Sequence, residues 1–144
     1  MLLRKRAINL LARREHSRAE LATKLASVGT PEEIDATLVD LERTGLLSDA
    51  RFTECYLRSH ARRQGVVRLR HALRMRGVAD HLIDAQLIEL PNEMDRAKTV
   101  WEKKFATPPS DARERAKQAR FLQGRGFSMD VILRLLNDVH ARRS

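Results

Sequence analysis

Aromatic side chains make up only 4% of the 144 residues. That scarcity argues against base stacking as the dominant source of any nucleic-acid binding, because sequence-tolerant single-strand binders usually stack bases on several exposed rings. Cysteine occurs once, at Cys55, so no internal disulfide can form. No apolar run reaches the roughly 18 residues that a membrane-spanning helix needs, and no N-terminal stretch joins a basic start to an apolar block and a small-residue cleavage site. A reduced, cytosolic setting with no membrane partner is the expectation. Strand-like alternation bounded by turn residues is also missing. Catalytic patterns are no better represented. His16, His60, His71, His81 and His140 fall on different predicted helices with neither H-E-x-x-H nor Cys/His zinc spacing, and are expected at the surface. Cys55 stands beside Tyr56 on an apolar face and reads as a small buried hydrophobe rather than a nucleophile. Gly124-Arg125-Gly126 has neither the lysine nor the preceding strand of a phosphate loop and reads as the end of a helix. No catalytic residue, cofactor or metal is expected.

Negative charge is missing from one long stretch. Between Cys55 and Ala79 there is no Asp or Glu, while Arg58, Arg62, Arg63, Arg68, Arg70, Arg74 and Arg76 supply seven positive charges. The chain carries 28 Lys+Arg against 19 Asp+Glu, a net charge of +9, which favours anionic partners such as nucleic acid or an acidic protein surface. The acids lie apart from this stretch: Thr30 to Glu54 holds Glu32, Glu33, Asp35, Asp40, Glu42, Asp49 and Glu54 against Arg43 and Arg51, a net of −5. A surface built for solubility alone intersperses the signs. Every cation of the central stretch is Arg, whose planar fork pairs bidentately with phosphate or carboxylate. An i, i+4 pair of Glu54 with Arg58 accounts for part of the charge as ordinary helix stabilisation. The candidate binding residues for a partner or nucleic acid are Arg58, Arg62, Arg63, Arg68, Arg70 and Arg74. Arg70 and Arg74 lie together off the Leu69/Leu73 stripe and point outward, whereas Arg76, near the apolar side at a helix end, is set aside.

Caps divide the chain into helices. Leu3, Ala7, Ile8 and Leu11 recur at helical spacing in a first helix ending near Arg14. Ser17 with Glu20 forms a capping box for a helix carrying Leu21 and Leu25 and stopped at Gly29; Thr30-Pro31-Glu32-Glu33 is a second box, and Ile34, Leu38 and Leu41 follow to Gly45. Ser48 caps a helix with Phe52, Cys55, Tyr56 and Ser59 on one face, until Gly65. Leu69 and Leu73 lead to Gly77, and Leu82, Ile83 and Leu87 to Pro91. Asn92 opens a helix with Ala97, Trp101 and Phe105, Ser110 is the next expected cap, and Ser128 caps a last helix with Val131, Ile132, Leu135 and Leu136.

The plan repeats. Leu-x-x-x-Gly at Leu25/Gly29, Leu73/Gly77 and Leu122/Gly126 recurs at separations of 48 and 49 residues, and Ile8, Tyr56 and Phe105 fall at the same offsets. Such a period marks stacked supersecondary units. The predicted fold is all-α, three tandem three-helix repeats over 1–46, 47–91 and 92–144 that form an elongated, curved body.

Three blocks, one per repeat, carry a resemblance: Leu10-Leu11-Ala12-Arg13-Arg14-Glu15-His16-Ser17 leading into Glu20-Leu21 and Lys24-Leu25; Gly45-Leu46-Leu47-Ser48-Asp49-Ala50-Arg51-Phe52; and Arg120-Phe121-Leu122-Gln123-Gly124-Arg125-Gly126-Phe127. In this order and spacing they resemble the RecX family, bacterial modulators of the RecA recombinase. The resemblance implies a regulator without catalytic activity, and a monomer in the cytoplasm is the accompanying expectation. It would lodge in the groove of the RecA filament on single-stranded DNA and limit filament growth, ATP hydrolysis, strand exchange and coprotease activity. The chain departs from the family in its short segment before Arg4, in Gly65-Val66-Val67 where a Gly-Pro segment is common, and in Ala72 where an acid is frequent. The alternative reading is a general nucleic-acid-binding helical protein with no dedicated protein partner. In either reading the central arginines meet phosphate or protein carboxylate.

Overall fold

A computed structural model describes residues 2–143. Among them are nine α-helices and no strand: α1 (Leu2–Arg13), α2 (Arg18–Leu25), α3 (Pro31–Arg43), α4 (Asp49–His60), α5 (Val66–Met75), α6 (Asp80–Ile88), α7 (Glu93–Lys104), α8 (Ala112–Gly124) and α9 (Met129–Arg143). Met1 and Ser144, the outer limits of the first and third expected repeats, lie outside the described residues.

Local chemistry explains the helix starts. Ser17 and Thr30 each accept from the backbone N–H three residues on, and Glu20 and Glu33 accept in return from the cap N–H, so both predicted boxes form in full. Ser48, Asn92 and Ser128 also accept from the first turn of α4, α7 and α9. At α8 the cap is Asp111, which accepts from Glu114 N at 2.8 Å, and not the expected Ser110. Asp is at least as good an N-cap as Ser.

The chain divides into two compact units, one of Met1–Tyr56 with Leu73–Gln86, the other of Leu57–Ala72 with Leu87–Ser144. In the first, α1, α2 and α3 pack on one another around Ala7, Leu21, Leu25, Ile34, Leu38, Leu41 and Leu47. In the second, α7, α8 and α9 enclose Trp101, Leu122, Phe127, Ile132, Leu135 and Leu136. Burying each Leu or Ile contributes about 1.5–3 kcal/mol. The Trp101 indole N–H, which burial would otherwise orphan, donates to Gln118 Oε1 at 2.8 Å.

Each unit contains a junction between consecutive repeats, and the two junctions are built alike. In the first unit the Arg18 N–H, opening α2, donates to Asp49 at the start of α4 (2.7 Å), and Ser17 Oγ donates to Arg76 O in the turn after α5 (2.7 Å). In the second unit the Val66 N–H, opening α5, donates to Glu93 at the start of α7 (3.0 Å), and the Gly65 N–H donates to Arg125 O in the turn after α8 (2.8 Å). The start of each middle helix thus docks on a carboxylate and an Arg-Gly turn of the following repeat. This satisfies N-terminal donors that a helix cannot pair internally. Glycine closes both turns in the left-handed region, Gly77 at φ +80° and Gly126 at φ +91°.

The structure departs from the sequence expectations at several residues. Cys55 and Ser59 are exposed, because α4 buries Phe52, Thr53 and Leu57 instead. Thr53 tolerates burial because its hydroxyl donates to Asp49 O at 2.8 Å. Ile8 is exposed, since α1 turns Ala7 inward, where a small residue permits close packing. Gly29 is not the counterpart of Gly77 and Gly126: α2 ends at Leu25 and Gly29 has no positive φ. His16 is buried, its Nδ1 3.0 Å from Arg14 O and its Nε2 3.2 Å from Lys24 Nζ. Burial lowers its pKa below 6.5, the Arg14 carbonyl opposing.

Candidate functional site

The second unit holds a cleft of about 800 Å³. Arg58, Arg62 and Arg63 line one part of it; Lys103 and Lys104 from the end of α7, and Phe121 and Arg125 from the end of α8, line the rest. None of the described lining residues is acidic. Six cations line one concavity with no acid among the described lining residues, an arrangement that favours a positive potential and attracts anions.

The neighbouring fold fixes the backbone that carries these side chains. Arg62 and Arg63 sit on the turn after α4. That turn is held from beneath by Arg96, whose Nη1 donates to Ala61 O (2.9 Å) and Gln64 O (2.7 Å) while its Nε donates to Pro91 O (3.2 Å). Arg96 is buried, and burial lowers its pKa against the opposing pull of Glu93. Its donors meet carbonyls left unpaired at a helix end, where a cation is favoured. Arg125 is fixed through its backbone by the Gly65 contact, and its guanidinium lies 5.2 Å from the Phe121 ring centroid. Lys104 Nζ lies 5.4 Å from the same centroid, and Phe105 meets Phe121 edge to face at 5.4 Å.

Of the six predicted arginines, three line the cleft and three do not. Arg58, Arg62 and Arg63 come together, Arg58 also engaged within the chain. Arg68 donates from Nη1 to Gly124 O at 3.0 Å, supporting the turn that carries Arg125. Arg70 is half-buried and engaged within the chain, less outward than its helical position implies. Arg74 belongs to the first unit, where its Nε meets Asp80 at 2.7 Å and that carboxylate raises its pKa. Arg76 lies 4.9 Å over the Tyr56 ring. The acids of the N-terminal region are paired locally: Arg18 bridges Asp35 (2.7 Å) and Glu42 (2.8 Å), and Asp40 meets Arg4 and Arg43.

Lys103, Lys104, Phe121 and Arg125 are missing from the sequence-based set. Arg125 had a signal, since it stands one 49-residue period after Arg76, but both were assigned to helix ends. The two lysines had only their place in the last turn of a helix.

This is an all-helical repeat protein whose second unit bears an acid-free cationic cleft. Family models for the first, second and third three-helix domains of RecX match residues 4–41, 48–87 and 92–136. The chain is 48% identical over 136 residues to the regulatory protein RecX of Leptothrix cholodnii, covering 93% of this chain and 87% of that one. It is 47% identical over 139 residues to that of Pseudomonas fluorescens Pf-5, covering 94% and 90%. A crystal structure of RecX from Lactobacillus salivarius has the same fold, with a TM-score of 0.84 at 22% identity over 96% of this chain and 95% of that one. The chain belongs to the RecX family of regulatory proteins. No helix among the described residues is long and apolar enough to cross a membrane.

Proposed function

We propose that this protein regulates the RecA recombinase in the cytoplasm. It does so as a monomer, without catalysis or cofactor, by lodging in the groove of the RecA filament on single-stranded DNA. Occupancy there limits filament growth, ATP hydrolysis, strand exchange and coprotease activity. Family membership supports the choice of partner. The observation that carries the mode of action is the cleft in which Arg58, Arg62, Arg63, Lys103, Lys104 and Arg125 converge with no acid among them. Such a site holds phosphate or carboxylate by charge-assisted hydrogen bonds and needs no reacting group.

The test adds the protein to preformed RecA filaments and follows ATP hydrolysis. Wild type slows it, Arg62→Glu with Lys103→Glu relieves the inhibition, and Arg74→Glu, outside the cleft, retains it. Equal inhibition by wild type and the cleft reversal would exclude the cleft. No inhibition by wild type would exclude the regulatory reading.

A further inference from the structure

Resting on that reading, we propose that the cleft is a base-stacking site for single-stranded nucleic acid: one unpaired base lies against Phe121, and the phosphates on either side of it are held by Arg62, Arg63, Lys103 and Arg125. The scarcity of aromatics excludes a platform of several rings. It does not exclude one ring placed where the cations converge, and Phe121 is that ring. It is half-buried and therefore presents part of its surface to the cleft, while Phe105 packs edge to face and fixes its orientation. Rigid support of this kind is what a stacking partner requires, because the ring need not be ordered when the base arrives.

Lys104 and Arg125 lie against the ring, at 5.4 and 5.2 Å from its centroid. A cation over an exposed ring is held more weakly than one bonded to phosphate. A nucleotide entering the cleft therefore offers both cations a better partner as its base takes their place. The volume, about 800 Å³, lies in the range of clefts that enclose small ligands. The four cations Arg62, Arg63, Lys103 and Arg125 exceed the charge of one nucleoside monophosphate, so the ligand is a strand contributing several phosphates. A paired base keeps its faces inside the duplex stack, so the strand must be single.

The experiment measures, with the full-length protein, the affinity for a fluorescent oligothymidylate, for an abasic strand of equal length, and for a duplex. Stacking of one base is worth about a five- to hundredfold difference. The proposal expects oligothymidylate to bind at least fivefold tighter than the abasic strand, with the duplex weaker than oligothymidylate. Phe121→Leu keeps an apolar side chain against the core and removes most of the preference for bases. Arg62→Ala lowers affinity for both single strands. Equal affinity of wild type for the base-bearing and abasic strands overturns the proposal without any variant having to fold. So does duplex binding equal to single-strand binding. RecA-filament ATP hydrolysis is followed in parallel: if wild type inhibits it yet shows no preference for bases, only this inference fails.

Discussion

Replacing Gly65 with alanine probes the junction that positions the cleft. A Cβ built at Gly65 falls 2.4 Å from Gly126 O, Phe127 N and Phe127 Cα. All three are backbone atoms, so no side chain can swing aside, and the start of α5 must separate from the Arg125-Gly126 turn. Two backbone hydrogen bonds are lost or stretched, Gly65 N to Arg125 O (2.8 Å) and Val67 N to Gly126 O (3.0 Å). Each is worth about 1 kcal/mol net, and overpacking a close contact adds roughly 1–3 kcal/mol. The expected loss is about 3–5 kcal/mol, a large share of the roughly 5–15 kcal/mol that holds a domain folded. For a chain of this size that lowers the melting temperature by about 10–15 °C. Gly124→Ala is the matched control. It lies at the end of α8 with nothing within 4 Å of the added Cβ, and it should gain up to about 1 kcal/mol through helix propensity. Melting followed by circular dichroism at 222 nm, with both variants beside wild type, gives the answer. If Gly65→Ala melts within a few degrees of wild type, the junction is not the close backbone contact described.

Other consequences follow from single residues. His16 has a folded pKa below 6.5, so the folded state binds fewer protons than the unfolded chain as pH falls through that region. Stability should be level above pH 6.5 and decline as the pH drops from there through the lowered value; urea titrations across pH should show this, and His16→Gln should flatten it. Gln118→Ala removes the acceptor of the buried Trp101 indole N–H and should cost about 1–3 kcal/mol for the orphaned donor alone, read from urea unfolding. Ala106, the non-glycine residue with positive φ among those described, sits at φ 60°. Ala106→Gly should relieve about 1–2 kcal/mol of backbone cost against about 0.4–1 kcal/mol of added chain entropy, leaving a small gain in thermal stability. If four cleft cations meet phosphates, single-strand affinity should fall with a log-log salt slope of about −2.8, and Lys103→Ala should make it shallower by about 0.7.

Much of the fold was legible because helix starts write themselves in side chains. The Ser17/Glu20 and Thr30/Glu33 boxes, and the caps at Ser48, Asn92 and Ser128, stand where the residue types place them. The 48–49-residue period marks the Arg-Gly turns after α5 and α8. It does not reveal what those turns do, because their partners are the Ser17 hydroxyl in one junction and the Gly65 N–H in the other, and a backbone donor leaves no trace in a sequence. The buried face of α4 takes in Thr53 and Leu57 rather than Cys55 and Ser59, since Thr53 counts as polar until its hydroxyl finds the Asp49 carbonyl. The candidate site was half legible for a related reason. A run of arginines without acids is visible in one dimension, but Arg58, Arg62 and Arg63 are joined by Lys103, Lys104 and Arg125 only once α7 and α8 have folded beside them. Arg74, from the same run, pairs with Asp80, which lies beyond the end of the acid-free stretch.

The most direct test of the regulatory account is the affinity of the wild-type protein for RecA-coated single strands relative to the same strands bare, in one buffer and at one salt concentration. The account predicts tighter binding to the coated strand, with Arg62→Glu/Lys103→Glu losing most of that advantage. Equal affinity for bare and coated strands would contradict it and leave a general single-strand binder.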